Sequence, residues 1–111
     1  MKIAVIGSRT FADYDLLEKT LSNINNISAI VSGGAKGADS LAEKFAKLHS
    51  IPTIIFKPDW SLGRHAGFLR NTTIIENCDL LIAFWDNKSK GTLDSINKAK
   101  KLKKGVTIVS F

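Results

Sequence analysis

The sequence predicts a small doubly wound, Rossmann-like α/β fold: a five-stranded parallel sheet with helices on both faces. Three observations predict it. Short apolar runs alternate with longer stretches of helical period, the runs are apolar at successive rather than alternate positions, and the glycine-rich segments come after the runs. A strand that is apolar on successive residues buries both its faces, which a parallel sheet between two helical layers provides. Right-handed crossovers then make the open doubly wound sheet the default.

The first strand is Ile3-Ala4-Val5-Ile6, ending at Gly7. Asp13 can cap the next helix, whose apolar positions Leu16, Leu17, Leu21 and Ile24 fall at helical spacing and which Asn25-Asn26 closes. The second strand, Ser28 to Val31, runs into Ser32-Gly33-Gly34. The second helix buries Ala38, Leu41, Ala42, Phe45, Ala46 and Leu48 as one stripe. Thr53 to Phe56 forms the third strand, stopped by Pro58. A loop with Trp60 and Gly63 leads to a third helix over His65 to Asn77, carrying Phe68, Leu69 and Ile75. Asp79 to Trp85 is the fourth strand. Thr92 or Asp94 begins a fourth helix through Ile96, Ala99 and Leu102, ended by Gly105, and Val106 to Val109 is the last strand.

A length of 111 residues fits a single domain, residues 1–111. With 44% hydrophobic and 23% charged residues, disorder, collagen and coiled coil are excluded. The longest apolar runs fall far short of the roughly 20 residues of a membrane span, and Met1-Lys2 leads straight into a strand without a signal-peptide pattern. No membrane partner and a cytoplasmic location are therefore expected. The lone Cys78 supports neither an internal disulfide nor a cysteine-based zinc cluster, suits a reducing compartment and reads as packing; no metal site is expected. The net charge of +6 attracts anions. However, Lys98, Lys100, Lys101, Lys103 and Lys104 crowd one stretch, where a solvated helix end complementing the helix dipole competes with a nucleic-acid patch.

In a parallel sheet, ligands bind beyond the carboxyl ends of the strands, where the strand order reverses. The chemically unusual segments all fall there: Gly7-Ser8-Arg9 after the first strand, Ser32-Gly33-Gly34-Ala35-Lys36-Gly37-Ala38-Asp39 after the second, Pro58-Asp59-Trp60 after the third, and Asp86 to Thr92 after the fourth. Three glycines in five residues, opening directly into a helix, let an anion approach backbone amides at a positive helix end; the competing reading is a tight turn that packs helix on sheet. Arg9 and Arg70, the latter beside Asn71, offer the donor fork suited to phosphate, or else form surface ion pairs. Gly91-Thr92 can supply a second helix N-terminus or merely a cap. Trp60, Phe84 and Trp85 read as core or dimer-face residues, with base stacking kept open for Trp60. His65, without a carboxylate near it in sequence, is a weak candidate base. Neither the Walker pattern nor the G-x-G-x-x-G dinucleotide fingerprint occurs.

Taken together, GSR, SGGAKGAD, PDW, G-x-x-AG-x-x-RN, FWD and GT resemble the SLOG superfamily and, more closely, its small YspA-type branch of bacterial and phage proteins, over about residues 3–96. The resemblance implies a Rossmann-like fold that binds nucleotides or nucleotide-derived ligands, with the glycine loop holding phosphate. It extends more distantly to the cytokinin-activating "lonely guy" phosphoribohydrolases and to the DNA-processing protein A family. In the former, a catalytic glutamate would fall at Ser95, with Asp94 one residue early; one residue turns a helical side chain by roughly 100°, so Asp94 would aim elsewhere.

Three functions follow, in descending order. The first is binding of a nucleotide-derived ligand, ADP-ribose-like or a signalling nucleotide, with no other cofactor, through Gly7, Ser8, Arg9, Ser32 to Asp39, Arg70, Asn71, Gly91 and Thr92. The second is hydrolysis of such a ligand at its N-glycosidic bond by a carboxylate among Asp39, Asp86 and Asp94. The third is nucleic-acid binding by the lysine-rich helix. A homodimer is left open.

Overall fold

A computed structural model describes all residues, 1–111. The order of elements is β1 (Lys2–Gly7), α1 (Tyr14–Ser22), β2 (Ala29–Ser32), α2 (Ala38–Leu48), β3 (Thr53–Ile55), a 3-10 turn (Trp60–Leu62), α3 (Ala66–Glu76), β4 (Leu80–Trp85), α4 (Lys90–Lys101) and β5 (Gly105–Ser110). All strands are parallel, in the spatial order β3-β2-β1-β4-β5. The predicted doubly wound, Rossmann-like sheet is what forms.

Alternate residues of the central strands feed two separate cores. Ile3 and Val5 of β1, with Ile30, Ile82 and Phe84, pack under Leu17 and Leu21 of α1 and Ala42, Phe45 and Ala46 of α2. Ala4 and Ile6, with Val31, Leu81 and Ala83, pack under Ile74 and Ile75 of α3 and Ile96 and Ala99 of α4. Strands apolar on both faces thus explain helices on both faces. Cys78 is buried in the second core, where burial pushes its thiol pKa up, as its reading as packing requires.

Several boundaries and faces differ from expectation. α1 is capped by Asp13, whose Oδ1 accepts the Leu16 N–H at 3.1 Å. α4, however, starts at Lys90 rather than Thr92 or Asp94, because Ser89 is its cap and Asp86 Oδ1 takes the Lys88 and Ser89 N–H groups just before it. Gly105 does not end that helix but opens β5, and the reversal falls on Lys103 with φ of 58°. Leu48, expected in a buried stripe, is the last residue of α2 and is exposed, as are Leu102 beyond α4 and Phe68 and Leu69 on α3. The inner face of α3 is centred instead on Asn71, Ile74 and Ile75, so Leu69 is turned to solvent.

Candidate functional site

The helix after β1 covers one face of the sheet and the helix after β4 covers the other, so a crevice opens between the ends of these adjacent strands. Its floor is closely built. Ser8, buried, continues the ladder with its N–H on the Phe84 carbonyl at 3.0 Å, and its Oγ accepts the Asp86 N–H at 3.2 Å, tying together the loops after β1 and β4. Gly7 has no room for a side chain: a Cβ there would lie 2.5 Å from the Phe84 carbonyl oxygen and 2.7 Å from Ala38 Cβ. Gly37, with φ of 83°, faces the Ser8 and Arg9 carbonyls, where a Cβ would lie 2.5 and 2.8 Å away. The three loops are thereby locked to one another.

Above this floor lies a cavity of about 350 Å³. Gly7, Ser8, Arg9 and Thr10 form one wall, Ala35, Asp39, Arg70 and Asn71 a second, and Asp86, Ser89, Gly91, Thr92 and Ser95 a third; Ile6 and Ile74 supply its main apolar surface. A second cleft of about 310 Å³ shares Arg9, Ala35 and Arg70 with it and adds Gly33, Gly34, Lys57, Pro58 and Trp60.

Two guanidinium groups, Arg9 and Arg70, and two carboxylates, Asp39 and Asp86, line the cavity. Arg70, half-buried, donates from Nη1 to the Gly33 carbonyl at 2.8 Å and from Nε to Asn71 Oδ1 at 3.1 Å. Burial lowers its pKa, Asp39 opposes that, and nearby Arg9 lowers it further, although a guanidinium stays charged. Arg9 makes no hydrogen bond within the chain and is exposed. The surface-ion-pair reading fails for both arginines, since the chain's one ion pair is Lys98–Asp94. Two cations that repel across an open cavity favour an anion between them.

The glycine loop differs from the expected open anion cradle. Asp39 Oδ2 accepts the Gly33 N–H at 3.0 Å and the Ala35 N–H at 3.2 Å, and Ser32 Oγ accepts the Gly34 N–H at 3.2 Å. The chain supplies its own anion there. The N–H groups of Lys36, Gly37, Ala38 and Asp39, at the start of α2, have no partner. Asp39 is 4% exposed, and its pKa is pushed up to about 6, burial outweighing the two amides and Arg70. Asp86 is held below the usual carboxylate range by the Ser89 and Lys88 amides.

Of the remaining predicted residues, Ser32, Lys36, Gly37, Ala38 and Asp94 line neither cleft. Ser32 is buried and its Oγ donates to Glu43; Ala38 belongs to the core. Asp94 Oδ2 takes the Lys98 ammonium at 2.8 Å and Asn71 Nδ2 at 3.3 Å, so it faces away from the cavity as its helical phase requires. Ser95 faces the cavity in its place, and its buried Oγ has no hydrogen-bond partner. Thr10, Ser89 and Ser95 were not singled out by sequence as ligand contacts, nor was Lys57. Ser95 was within reach of sequence reasoning, lying three residues after Thr92 on the same helix face.

A model of the YAcAr family, described as the YspA, cpYpsA-related SLOG family, matches residues 1–63. The chain belongs to this SLOG family. The match holds the loops after β1 and β2, hence Arg9 and Asp39, and ends before Arg70 and α4. The chain is also similar to the Gene 61 protein of Mycobacterium phage D29, 28% identical over 121 residues that cover 99% of this chain and 95% of that protein. DNA processing protein A from Streptococcus pneumoniae shares the fold at TM-score 0.83 and 23% identity, over 96% of this chain and 49% of that one. DNA processing protein A from Helicobacter pylori, solved for its single-stranded DNA binding mode, matches at TM-score 0.68 and 23% identity, over 97% of this chain and 64% of that one. This SLOG chain thus spans about half to two thirds of those structures, and the likeness establishes the fold. No helix is long and apolar enough to cross a membrane.

Proposed function

We propose that residues 1–111 form one domain that binds a nucleotide or nucleotide-derived ligand, ADP-ribose-like or a signalling nucleotide, at the carboxyl edge of the sheet. One observation carries this reading: Arg9 and Arg70, neither within ion-pair distance of a carboxylate, line a cavity at the point where the strand order reverses. Phosphate would lie between these two cations rather than on the Gly33 and Ala35 amides, which Asp39 already occupies. The hydroxyls of Thr10, Thr92 and Ser95 would meet the ribose or a second phosphate. Membership of the SLOG family supports the reading.

Thermal shift against a nucleotide panel tests it. A ligand at 100 times its dissociation constant stabilises the fold by about 2.7 kcal/mol. Arg9→Ala removes an exposed side chain with no internal partner, so it should leave stability intact while weakening binding by about 10- to 100-fold, the worth of a charged hydrogen bond. Absence of any shift across the panel would refute the reading.

Hydrolysis is the second reading, and Asp39 favours it: a buried carboxylate with a pKa of about 6 is poised for proton transfer near neutrality. Release of free base from nucleoside monophosphates, lost in Asp39→Asn, would promote it.

A further inference from the structure

We infer that the cleft beside the cavity is a nucleobase subsite, with the indole of Trp60 as its stacking surface. The inference rests on the nucleotide reading of the adjoining cavity and extends it to the part of the ligand that carries no charge.

Trp60 is 60% exposed, although a side chain of its size is normally drawn into a core. It is not on a loose tip. Asp59 Oδ1 accepts the Ser61 N–H at 3.1 Å, the Leu62 N–H bonds the Asp59 carbonyl at 3.0 Å, and the Gly63 N–H bonds the Trp60 carbonyl at 3.1 Å, so the turn is fixed from both ends. The far edge of the indole lies over Gly67, at whose Cβ position it would come within 3.7 Å, and the ring takes part in no aromatic or cation–π pair. A positioned flat apolar face is thus left without an internal partner.

The surroundings define what would cover it. Arg9, Lys57 and Arg70 line the same cleft and no carboxylate does, so the occupant is anionic at one end and flat at the other. Arg9, Ala35 and Arg70 belong to both clefts, so a phosphate between the arginines would carry its nucleoside toward Trp60 without a break. The cleft also lacks the Asn, Gln, Asp or Glu side chains that read a base edge. Recognition there is by stacking, which every base supports and which favours the larger purines.

Calorimetry on the full chain distinguishes the possibilities, using pyrophosphate, ADP, GDP, UDP and a six-nucleotide dT strand as ligands for wild type, Trp60→Ala and Trp60→Phe. ADP and GDP should bind within a few-fold of each other and more tightly than UDP. Trp60→Ala should weaken ADP by about fivefold to a hundredfold and leave pyrophosphate unchanged, with most of the loss restored in Trp60→Phe. Equal affinity of wild type and Trp60→Ala for ADP, or an equal loss for pyrophosphate, would overturn the base subsite while leaving the phosphate cavity intact. Binding of the dT strand in place of ADP, weakened in Trp60→Ala, would keep the subsite and assign it to a polymer. No binding of any of the five would overturn the nucleotide reading and the subsite with it.

Discussion

Asp39 is the residue on which the loop after β2 turns. Its carboxylate, nearly inaccessible, holds two loop amides in place of an external anion, and burial keeps its folded-state pKa near 6 against an ordinary value of 3.8. A raised carboxylate pKa means that the folded chain holds the proton more tightly than the unfolded one. The contribution of this group to stability is therefore greatest below about pH 4 and declines as pH rises to about 6, by on the order of 3 kcal/mol. Asp39→Asn keeps an oxygen for both amides and removes the titration, so denaturant unfolding across this range should lose that decline. Asp86, shifted the other way, contributes stability that is lost only on acidification below the usual carboxylate range. Ser95 gives a second expectation. Its buried hydroxyl has no partner, so Ser95→Ala should leave stability unchanged or slightly raised, while ligand affinity falls about three- to tenfold if the hydroxyl meets the ligand. A melting temperature and a titration on the same variant would decide it.

At the scale of elements, the helix ends carry the contrast. Asp13 caps α1, whose start lies away from both clefts, whereas Ser89 caps α4 and lines the cavity, with its Oγ on both the N–H and the hydroxyl of Thr92. Asp13→Ala and Ser89→Ala should each cost about 1 kcal/mol of stability. Only the second should also weaken nucleotide binding, as chemical denaturation paired with calorimetry would reveal. Asp13 was legible as a cap because it precedes a stripe of clear helical period. Ser89 was not, because Lys90-Gly91 is a poor helix opening by propensity and the Asp86 turn that sets it up draws on Ser8, far away in sequence. The faces of α3 depart from its apolar pattern for a related reason: its inner surface is given to Asn71, which spans to the Gly91 carbonyl and Asp94, so apolar Phe68 and Leu69 are left outside.

At the scale of the whole molecule, the excess of cations, a net charge of +6, includes two clusters, one at the end of α4 and one around the clefts. Lys98, Lys100 and Lys101 sit in the last turn of α4, where they complement the helix dipole, while the cavity reaches as far as Ser95, so that Lys100 and Lys101 lie roughly 8 to 9 Å further along the helix axis. If single-stranded DNA binds through Arg9, Lys57 and Arg70, the slope of log affinity against log salt should be near −2, at about −0.7 per phosphate contact, and Lys100→Ala with Lys101→Ala should leave it unchanged. A slope that falls in the lysine variant would move the interface to the helix end.

The residue order alone carries the parallel sheet, its two helical layers and the edge on which the site lies, because these depend on local period and on the direction every strand shares. It also marked Arg9, Asp39, Arg70, Asn71 and Thr92, each of which lines the cavity. What those residues do to one another emerges in the folded chain. Asp39 reaches the Gly33 and Ala35 amides, and Asp94 reaches Lys98, within a few residues along the chain, but that Trp60 stands beside Arg9 and Arg70, and that Asn71 spans to Gly91 and Asp94, are consequences of the order β3-β2-β1-β4-β5. Loops distant in sequence are brought to one edge by that order, and no periodicity along the chain encodes a contact between them.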